Sequence, residues 1–300
     1  MSIARALRQG FSVARRTRSV VWVLLLVNLG LAALAALPIY QGILSSAGHS
    51  LMSRVLSTGF SVDWLTDFAF NRVGALDRYG ELIVGFALLS LPVNAILAGG
   101  VLARFRTPEL RYSLGDFFRN TGRYAWRMIG LMVIGLICYW IAFRLLNQGL
   151  SDLINRWTRD GLDDRPVFWL RLAASIVLLL VLGFVNVVMD YAKVRAVMDE
   201  SSGAVESFFV SLGFAISRFG RAVVAWAIPS LGGVALLAVY LLVGPWAHSV
   251  LGGVAHGGDL RLKLLFAVAF IAQQAVMWGR YWFRVATWAS EWSNYAGSRS

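Results

Sequence analysis

Six apolar runs, each long enough to cross a lipid bilayer as a helix, constrain this chain more than any other feature. They lie at about 19–40, 80–103, 127–147, 167–190, 221–244 and 264–285. A helix needs roughly 20 apolar residues to cross the hydrocarbon core. Lipid admits only helices and closed barrels, and these runs lack the alternation of barrel strands. The sequence therefore predicts an all-α, polytopic membrane helical bundle with six transmembrane helices, forming a single membrane domain over residues 1–300.

The composition supports a membrane protein and excludes two other classes. Hydrophobic residues make up 58% of the chain and charged residues 15%, whereas an ordinary soluble domain has about 25% charged residues. The 12 Trp, 18 Phe and 9 Tyr also exclude a disordered chain. The net charge of +12 is unusual for so apolar a chain, and it needs an explanation.

The basic residues favour one side of the predicted membrane. If the N-terminus lies inside, 18 of the 28 basic residues fall on the inner side and 10 on the outer side. The excess of Lys and Arg marks the cytoplasmic side of bacterial membrane proteins. We therefore predict a multi-pass protein of the plasma (inner) membrane of a bacterium, with both termini cytoplasmic. A cleaved signal peptide is the other interpretation of the basic and apolar N-terminus.

An internal repeat relates two inner connections. With a shift of 91 residues, Gly115-Asp116-Phe117-Phe118 aligns with Glu206-Ser207-Phe208-Phe209 without a gap. The same shift aligns Arg104 with Arg195, Gly122 with Gly213, and Arg127 with Arg218. Gly10 and Arg15 show the same spacing near the N-terminus. The pattern predicts three pseudo-repeated helical hairpins.

Each hairpin begins with a predicted amphipathic helix on the inner face. These helices cover about 3–14, 112–125 and 203–217. In the second, Leu114, Phe117 and Phe118 share one face, and in the third the spacing repeats. Such helices lie in the membrane plane with their apolar face in the acyl boundary.

The outer side carries one long insertion. Residues 41–79 are predicted to form two short surface helices, and residues 151–160 another one. These segments are candidates for capping a cavity or docking a partner.

The layout resembles bacterial multi-pass families, in particular the membrane domains attached to glycerophosphodiester phosphodiesterases and uncharacterised six-span proteins. The segments from Leu114 to Arg127 and from Val205 to Arg218 carry the resemblance. It implies an even span that leads through an aromatic-rich amphipathic helix into the next span. It implies no phosphodiesterase activity, because the chain contains no such catalytic domain.

Four polar side chains within the spans are candidates for lining a cavity: Asn94, Asn186, Gln273 and Gln274. Polar groups are unfavourable in lipid unless they are paired or hydrated. One interpretation is a hydrophilic path through the bundle. The other is that the amides hydrogen-bond between helices.

Seven arginines are candidates for contacting anionic lipid headgroups. They are Arg104, Arg119, Arg123, Arg127, Arg195, Arg218 and Arg221, and all lie in the inner connections. Near them, Asp190 is expected to form a local ion pair with Lys193, one helical turn further on. The basic residues border lipid, so we expect membrane lipids as the partner and no nucleic acid.

The sequence contains no recognisable catalytic or metal site. Cys138 is the only cysteine, so no intramolecular disulfide can form. His49, His248 and His256 lie in predicted outer segments without metal-ligand spacing. We expect no cofactor and no enzyme activity.

Two functions remain open from the sequence. The first is a non-catalytic accessory or structural subunit, or a lipid-interacting module, that contacts lipid or another membrane protein. The alternative is a permease, or a permease subunit, for a small or lipid-like solute, because repeated hairpins are common in transporters.

Overall fold

The computed structural model describes residues 2–47, 66, 70, 74–107, 109, 113–157, 164–252 and 259–298. All regular elements in this part of the chain are helices. They are α1 (Ile3–Arg16), α2 (Arg18–Ala47), α3 (Ala75–Arg104), α4 (Leu114–Ala142), α5 (Gly149–Trp157), α6 (Asp164–Met198), α7 (Ala204–Ser217), α8 (Phe219–Gly252) and α9 (Asp259–Ala296). A π-helical segment, Phe143–Gln148, joins α4 to α5.

In the described part of the chain, five helical stretches are long and apolar enough to cross a membrane. They are Arg18–Ser45, Asp77–Arg104, Leu114–Trp157, Val167–Met198 and Phe219–Gly244. Only 11–22% of the residues in their most apolar windows are buried inside the protein. Apolar helices that keep their surface outward need an apolar surrounding, which lipid supplies. The chain therefore has the features of a helical membrane protein. The predicted span at 264–285 lies within α9, which is not among the five.

Helix boundaries differ from the sequence prediction on the predicted outer side. α2 continues to Ala47 and α3 begins at Ala75, so both helices extend into the predicted insertion at 41–79. Most of that insertion lies outside the described residues. The helix predicted at 151–160 corresponds to α5, which continues from the π-helical segment and ends at Trp157.

The predicted amphipathic segments differ in how they join the next helix. α1 ends before Thr17 and α7 ends before Arg218, whereas α4 runs without a break from Leu114 to Ala142. The prediction of a separate helix at 112–125 is therefore wrong. At the first two ends, the Thr17 hydroxyl donates to the carbonyl of Val13 at 2.9 Å, and the Ser217 hydroxyl donates to a carbonyl three residues back at 3.1 Å. Such bonds to the preceding turn bend helices.

Contacts divide the chain into two compact units. The first comprises Met1–Arg18, Ala95–Leu231 and Phe283–Ser300, and the second comprises Ser19–Asn94 and Gly232–Trp282. The first unit contains α1, α4 to α7, the first turns of α8 and the last turns of α9.

In the first unit, each amphipathic segment packs on the end of a long helix. Residues with small side chains or rings mediate these contacts. Gly10 of α1 lies against Ser290 of α9, and Gly100 of α3 lies against Phe117 and Thr121 of α4. The ring of Phe214 in α7 lies 5.1 Å from that of Tyr191 in α6. Close helix packing requires small residues where the backbones approach, which explains the glycines at the first two contacts.

Substitution of Gly10 by Ala should weaken the docking of α1. A Cβ atom at this position would lie 2.6 Å from the backbone N and Cα of Ser290. We expect a loss of about 1–3 kcal/mol in unfolding free energy, as for other overpacked sites. The measurement is denaturant-induced unfolding in detergent micelles.

Gly122 and Gly213 supply matched controls, since the sequence spacing makes them counterparts of Gly10. A Cβ atom at either position meets nothing within 4 Å. Alanine there should stabilise the exposed helix by about 1 kcal/mol. Equal behaviour of the three variants would contradict the packing of α1 on α9.

Candidate functional site

A buried carboxylate with several donors links α6 to α9. The side chain of Asp190 is fully buried and accepts two hydrogen bonds from Arg284, both at 2.8 Å. Lys193 Nζ and the indole Nε1 of Trp288 donate to the same carboxylate at 3.1 and 3.2 Å. The fork of an arginine on a carboxylate is among the strongest polar contacts in proteins. Asp190 therefore forms a cross-helix network in addition to the predicted ion pair with Lys193.

The contribution of α9 to this network was not predicted from the sequence. Arg284 and Trp288 are four residues apart, so they share one face of the helix. The guanidinium carbon of Arg284 lies 4.8 Å from the centroid of the Trp288 ring, within range of a cation–π interaction. The i, i+4 spacing was visible in the sequence, but the partner on α6 was not.

The same helix carries a second buried acid, Glu291. Its side chain is fully buried, and neither carboxylate oxygen has a hydrogen-bond partner among the described residues. Burial raises the pKa of Glu291 well above its usual value, and the nearby negative charge of Asp190 raises the pKa further. Arg284 and Lys193 act in the opposite direction.

Neutral side chains in the last turns of α9 also form hydrogen bonds with residues of α6 and α8. The amide of Asn294 donates to the Tyr191 hydroxyl at 2.8 Å, and its oxygen accepts from Arg221 at 3.2 Å. Arg195 donates to the hydroxyl of Tyr295 at 3.1 Å. These hydrogen bonds connect the end of α9 to both α6 and α8 within the first unit.

A second charged cluster surrounds Glu200, just beyond the end of α6. Arg123 Nη2 lies 2.6 Å from one carboxylate oxygen, while Arg106 and the Tyr124 hydroxyl donate to the other. The hydrogen bond from Arg106 lowers the pKa of Glu200. Glu200 is therefore an ionised partner for Arg106 and Arg123.

The arginines of this cluster also cap α6. Arg106 donates to the carbonyls of Val197 and Met198, and Arg127 donates to that of Ala196 at 3.1 Å. The last carbonyls of a helix lack partners within the helix and carry partial negative charge. Arginine side chains satisfy both requirements here.

Three glutamates follow the repeat interval. Glu109, Glu200 and Glu291 stand 91 residues apart. Glu109 forms an ion pair with Arg16, and Glu200 forms one with Arg106, whereas Glu291 has none within the described part of the chain. This spacing was available in the sequence as a signal for all three positions.

The seven arginines predicted to meet lipid headgroups have contacts within the protein. Six are polar contacts: Arg104 with the Thr107 carbonyl, Arg119 with Asp116, Arg123 and Arg127 with Glu200, Arg195 with Glu206, and Arg221 with Asn294. Arg218 lies 5.7 Å from the Phe214 ring centroid. Arg119, Arg123 and Arg218 remain exposed. Lipid contact by this set stays a prediction, and an additional structural role is evident.

The four polar residues predicted to line a cavity have different surroundings. In the second unit, Asn94 and Asn28 exchange two amide hydrogen bonds at 2.9 and 3.0 Å. Gln273 is exposed and Gln274 is half-buried, while Asn186 of the first unit is half-buried. Asn94 thus bridges helices, as in the second of the two interpretations.

A cavity of about 410 Å³ lies beside α3 in the second unit. Its lining residues are Arg78, Glu81, Leu82, Gly85, Phe86 and Leu89. None of the four predicted cavity residues belongs to this lining.

Metal ligation finds no support in the described part of the chain, which contains no group of three or more His, Cys, Asp or Glu residues suited to hold an ion. His49 and His256 lie outside the described residues, as does the side chain of His248. Cys138 is half-buried.

Comparison with protein families, curated proteins and solved structures finds no match to this chain.

Substitution of Asp190 by Asn should strongly destabilise the protein. The change leaves Arg284 and Lys193 facing a neutral amide, and removal of one partner from a buried ion pair typically costs about 3–5 kcal/mol. We expect a loss near the lower end, about 3 kcal/mol, because Arg284 is 32% exposed. Denaturant-induced unfolding in micelles measures the change.

Asp116→Asn is the matched control, because Asp116 forms an exposed ion pair with Arg119 at 3.2 Å. Exposed pairs contribute about 0–1 kcal/mol. Similar losses of unfolding free energy in the two variants would show that the buried Asp190 network stabilises the protein no more than an exposed ion pair does.

Proposed function

We propose that this chain is a non-catalytic integral membrane protein that acts as a lipid-interacting module or accessory subunit. It would sit in the plasma membrane of a bacterium with six spans and both termini in the cytoplasm. The surface of α7 carries the proposal, and the arginines of α1 and the exposed amide of α9 support it.

α7 keeps its small polar face inside the protein and its apolar face outside. Ser207 and Ser211 are fully buried. Val205, Phe209 and Ile216 are 59%, 63% and 61% exposed, respectively. A soluble protein would place these faces the other way round. An apolar outer face on a helix that follows a span favours insertion into the acyl boundary of the membrane.

The arginines of α1 supply a basic surface for headgroups. Arg5, Arg8 and Arg15 are exposed and have no ion-pair partner within the described residues. The first apolar span begins one residue after the α1 cap at Thr17, which keeps α1 close to the membrane surface. Anionic lipid attracts such residues with about 1 kcal/mol each. The partner proposed on this side is therefore an anionic phospholipid.

Three hairpin units with a sixth span within α9 are part of the proposal. α9 is 38 residues long, enough to cross a bilayer and continue beyond it. The amphipathic segments pack in one pattern: α1 on α9, the start of α4 on α3, and α7 on α6. Glutamates at intervals of 91 residues extend the sequence repeat through all three units. With six spans, the two termini lie on the same side of the membrane.

An exposed amide in α9 favours a protein partner in the membrane. Gln273 lies in the middle of the proposed sixth span and is exposed between apolar residues such as Phe270 and Ile271. An amide is unfavourable in hydrocarbon, and hydrogen bonds between helices commonly satisfy such groups. Contact with another membrane protein would cover Gln273, as expected of an accessory subunit.

The alternative of a permease receives less support. It requires polar groups that converge on a path, but the Asn94 amide is bound to Asn28. The lining of the cavity beside α3 is mainly apolar and contains none of the predicted polar residues.

Spin labels on α7 test the proposed lipid contact. In a Cys138→Ser background, a label at position 209 should be accessible to oxygen and shielded from a water-soluble nickel complex, because Phe209 faces outward among apolar residues. Power-saturation EPR in proteoliposomes measures both accessibilities.

A label at position 217 is the matched control, since Ser217 is exposed at the polar end of the same helix. It should show the opposite preference. High nickel accessibility at both positions would place the apolar face of α7 in water and refute the proposed insertion.

Reporter fusions test the topology. A fluorescent protein fused to the C-terminus should fluoresce in cells, and alkaline phosphatase at the same position should be inactive, because both termini are proposed to be cytoplasmic. Fusion after Trp157, in the proposed outer connection, should give the opposite pair of results. Active phosphatase at the C-terminus would exclude an even number of spans with a cytoplasmic N-terminus.

A further inference from the structure

We infer that Glu291 is a proton-binding site: a buried cluster with Asp190, Lys193 and Arg284 holds its carboxyl group as the neutral acid in the native protein. The inference rests on burial, on missing hydrogen bonds and on the two glutamates that precede it at the same interval. It is independent of the proposed lipid contact.

Complete burial without partners sets the chemistry of this side chain. Glu291 has no exposed surface, and both of its oxygens lack hydrogen bonds in the described part of the chain. The hydroxyl of the adjacent Ser290 is likewise buried without a partner. A bare carboxylate in such a place would lose its hydration and receive nothing in exchange, whereas a neutral acid loses far less. The group therefore neutralises itself by binding a proton.

The cations nearest to Glu291 are already engaged. Arg284 binds both oxygens of Asp190 at 2.8 Å, and Lys193 binds the same carboxylate at 3.1 Å. Asp190 thus holds the ionised state of the cluster, and Glu291 is left as the acid that takes the proton. When two carboxyl groups lie close together in different surroundings, one is commonly ionised while the other is protonated.

Among the described residues, the other elements around Glu291 bring no cation that forms a hydrogen bond with its carboxyl group. α6 brings Asp190, Tyr191 and Lys193. α8 brings Arg221, which donates to Asn294 one turn beyond Glu291. α1 brings Gly10, which contacts Ser290, and the neighbouring Trp292 meets the ring of Phe105.

The other two glutamates of the series show what Glu291 lacks. Glu109 is paired with Arg16, and Glu200 with Arg106. The residue that stands 91 positions after Arg106 is Val197, which is fully buried. Valine carries no charge at this place in the repeat. The third position therefore has the acid of the series without the arginine.

Proton binding predicts a direction for the pH dependence of stability. The pKa of Glu291 is raised in the folded protein, so the folded state holds this proton over a pH range in which the unfolded state has lost it. The contribution of Glu291 to stability is then full below its unfolded value, near pH 4.5, and falls as the pH rises toward the folded value. The pKa of Glu200 is lowered in the folded protein, so its contribution to stability is instead lost as the pH falls.

Infrared spectroscopy of the intact protein in D₂O tests the inference directly. In a detergent without ester groups, the wild-type protein at neutral pH should show the C=O stretch of a protonated carboxylic acid. Glu291→Gln should remove this band, and Glu200→Gln, the matched control, should leave it unchanged. Should Glu291→Gln not fold, Glu291→Met offers a second neutral replacement.

Absence of the band from the wild-type protein would overturn the inference without recourse to any variant. A band that persists in the Glu291 variant would assign the proton to another acid and overturn it as well. In thermal unfolding, the midpoint of Glu291→Gln should match that of the wild type near pH 5 and exceed it near pH 8. If the unfolding midpoint of the wild type instead rose relative to that of the variant between pH 5 and pH 8, the predicted pH dependence of stability would be wrong.

Discussion

A carboxylate sealed from water inside a protein is stable only when donors replace its hydration, and Asp190 receives four hydrogen bonds from three side chains. Two of these side chains, Arg284 and Trp288, belong to α9, although Asp190 lies on α6. Because an unpaired buried charge is strongly unfavourable, this network fixes the register of the two helices. The packing of α1 against Ser290 and the contact between Asn294 and Tyr191 lie on the next turns of the same helix.

Lipid imposes the second constraint on the architecture. Spans that bury few of their residues gain little from hydrophobic burial within the protein, so their association relies on close packing and polar pairs. The contact of Gly10 with Ser290 and the amide pair of Asn28 and Asn94 are examples of the two modes. In α7, likewise, small polar residues are the ones that pack inside, because its serines face the protein and its apolar residues face outward.

The helical class and the approximate positions of the long helices were predictable, since lipid leaves the backbone few alternatives. The boundaries of the helices were less predictable. α4 continues through the place where α1 and α7 end, because Trp126 stands where the third segment has the helix-bending Ser217. The pair of Asp190 and Lys193 was predicted from local spacing, but Arg284 is 94 residues away and only the tertiary fold brings it near. The arginines predicted for headgroups were identified by charge, yet their acceptors, such as Glu200, depend on which helix ends lie together.

The three glutamates at intervals of 91 residues show how a repeat acquires a distinct position. The first two are each paired with an arginine and remain partly exposed. At the third, the chain stays helical through Glu291 to the end of α9, which carries the acid into the interior. Val197 replaces the arginine at the same step, so burial increases where the compensating charge disappears. A purely structural position would tolerate an apolar residue there at lower free energy. Retention of an acid without a cation therefore sets this position apart from the two exposed ion pairs that precede it.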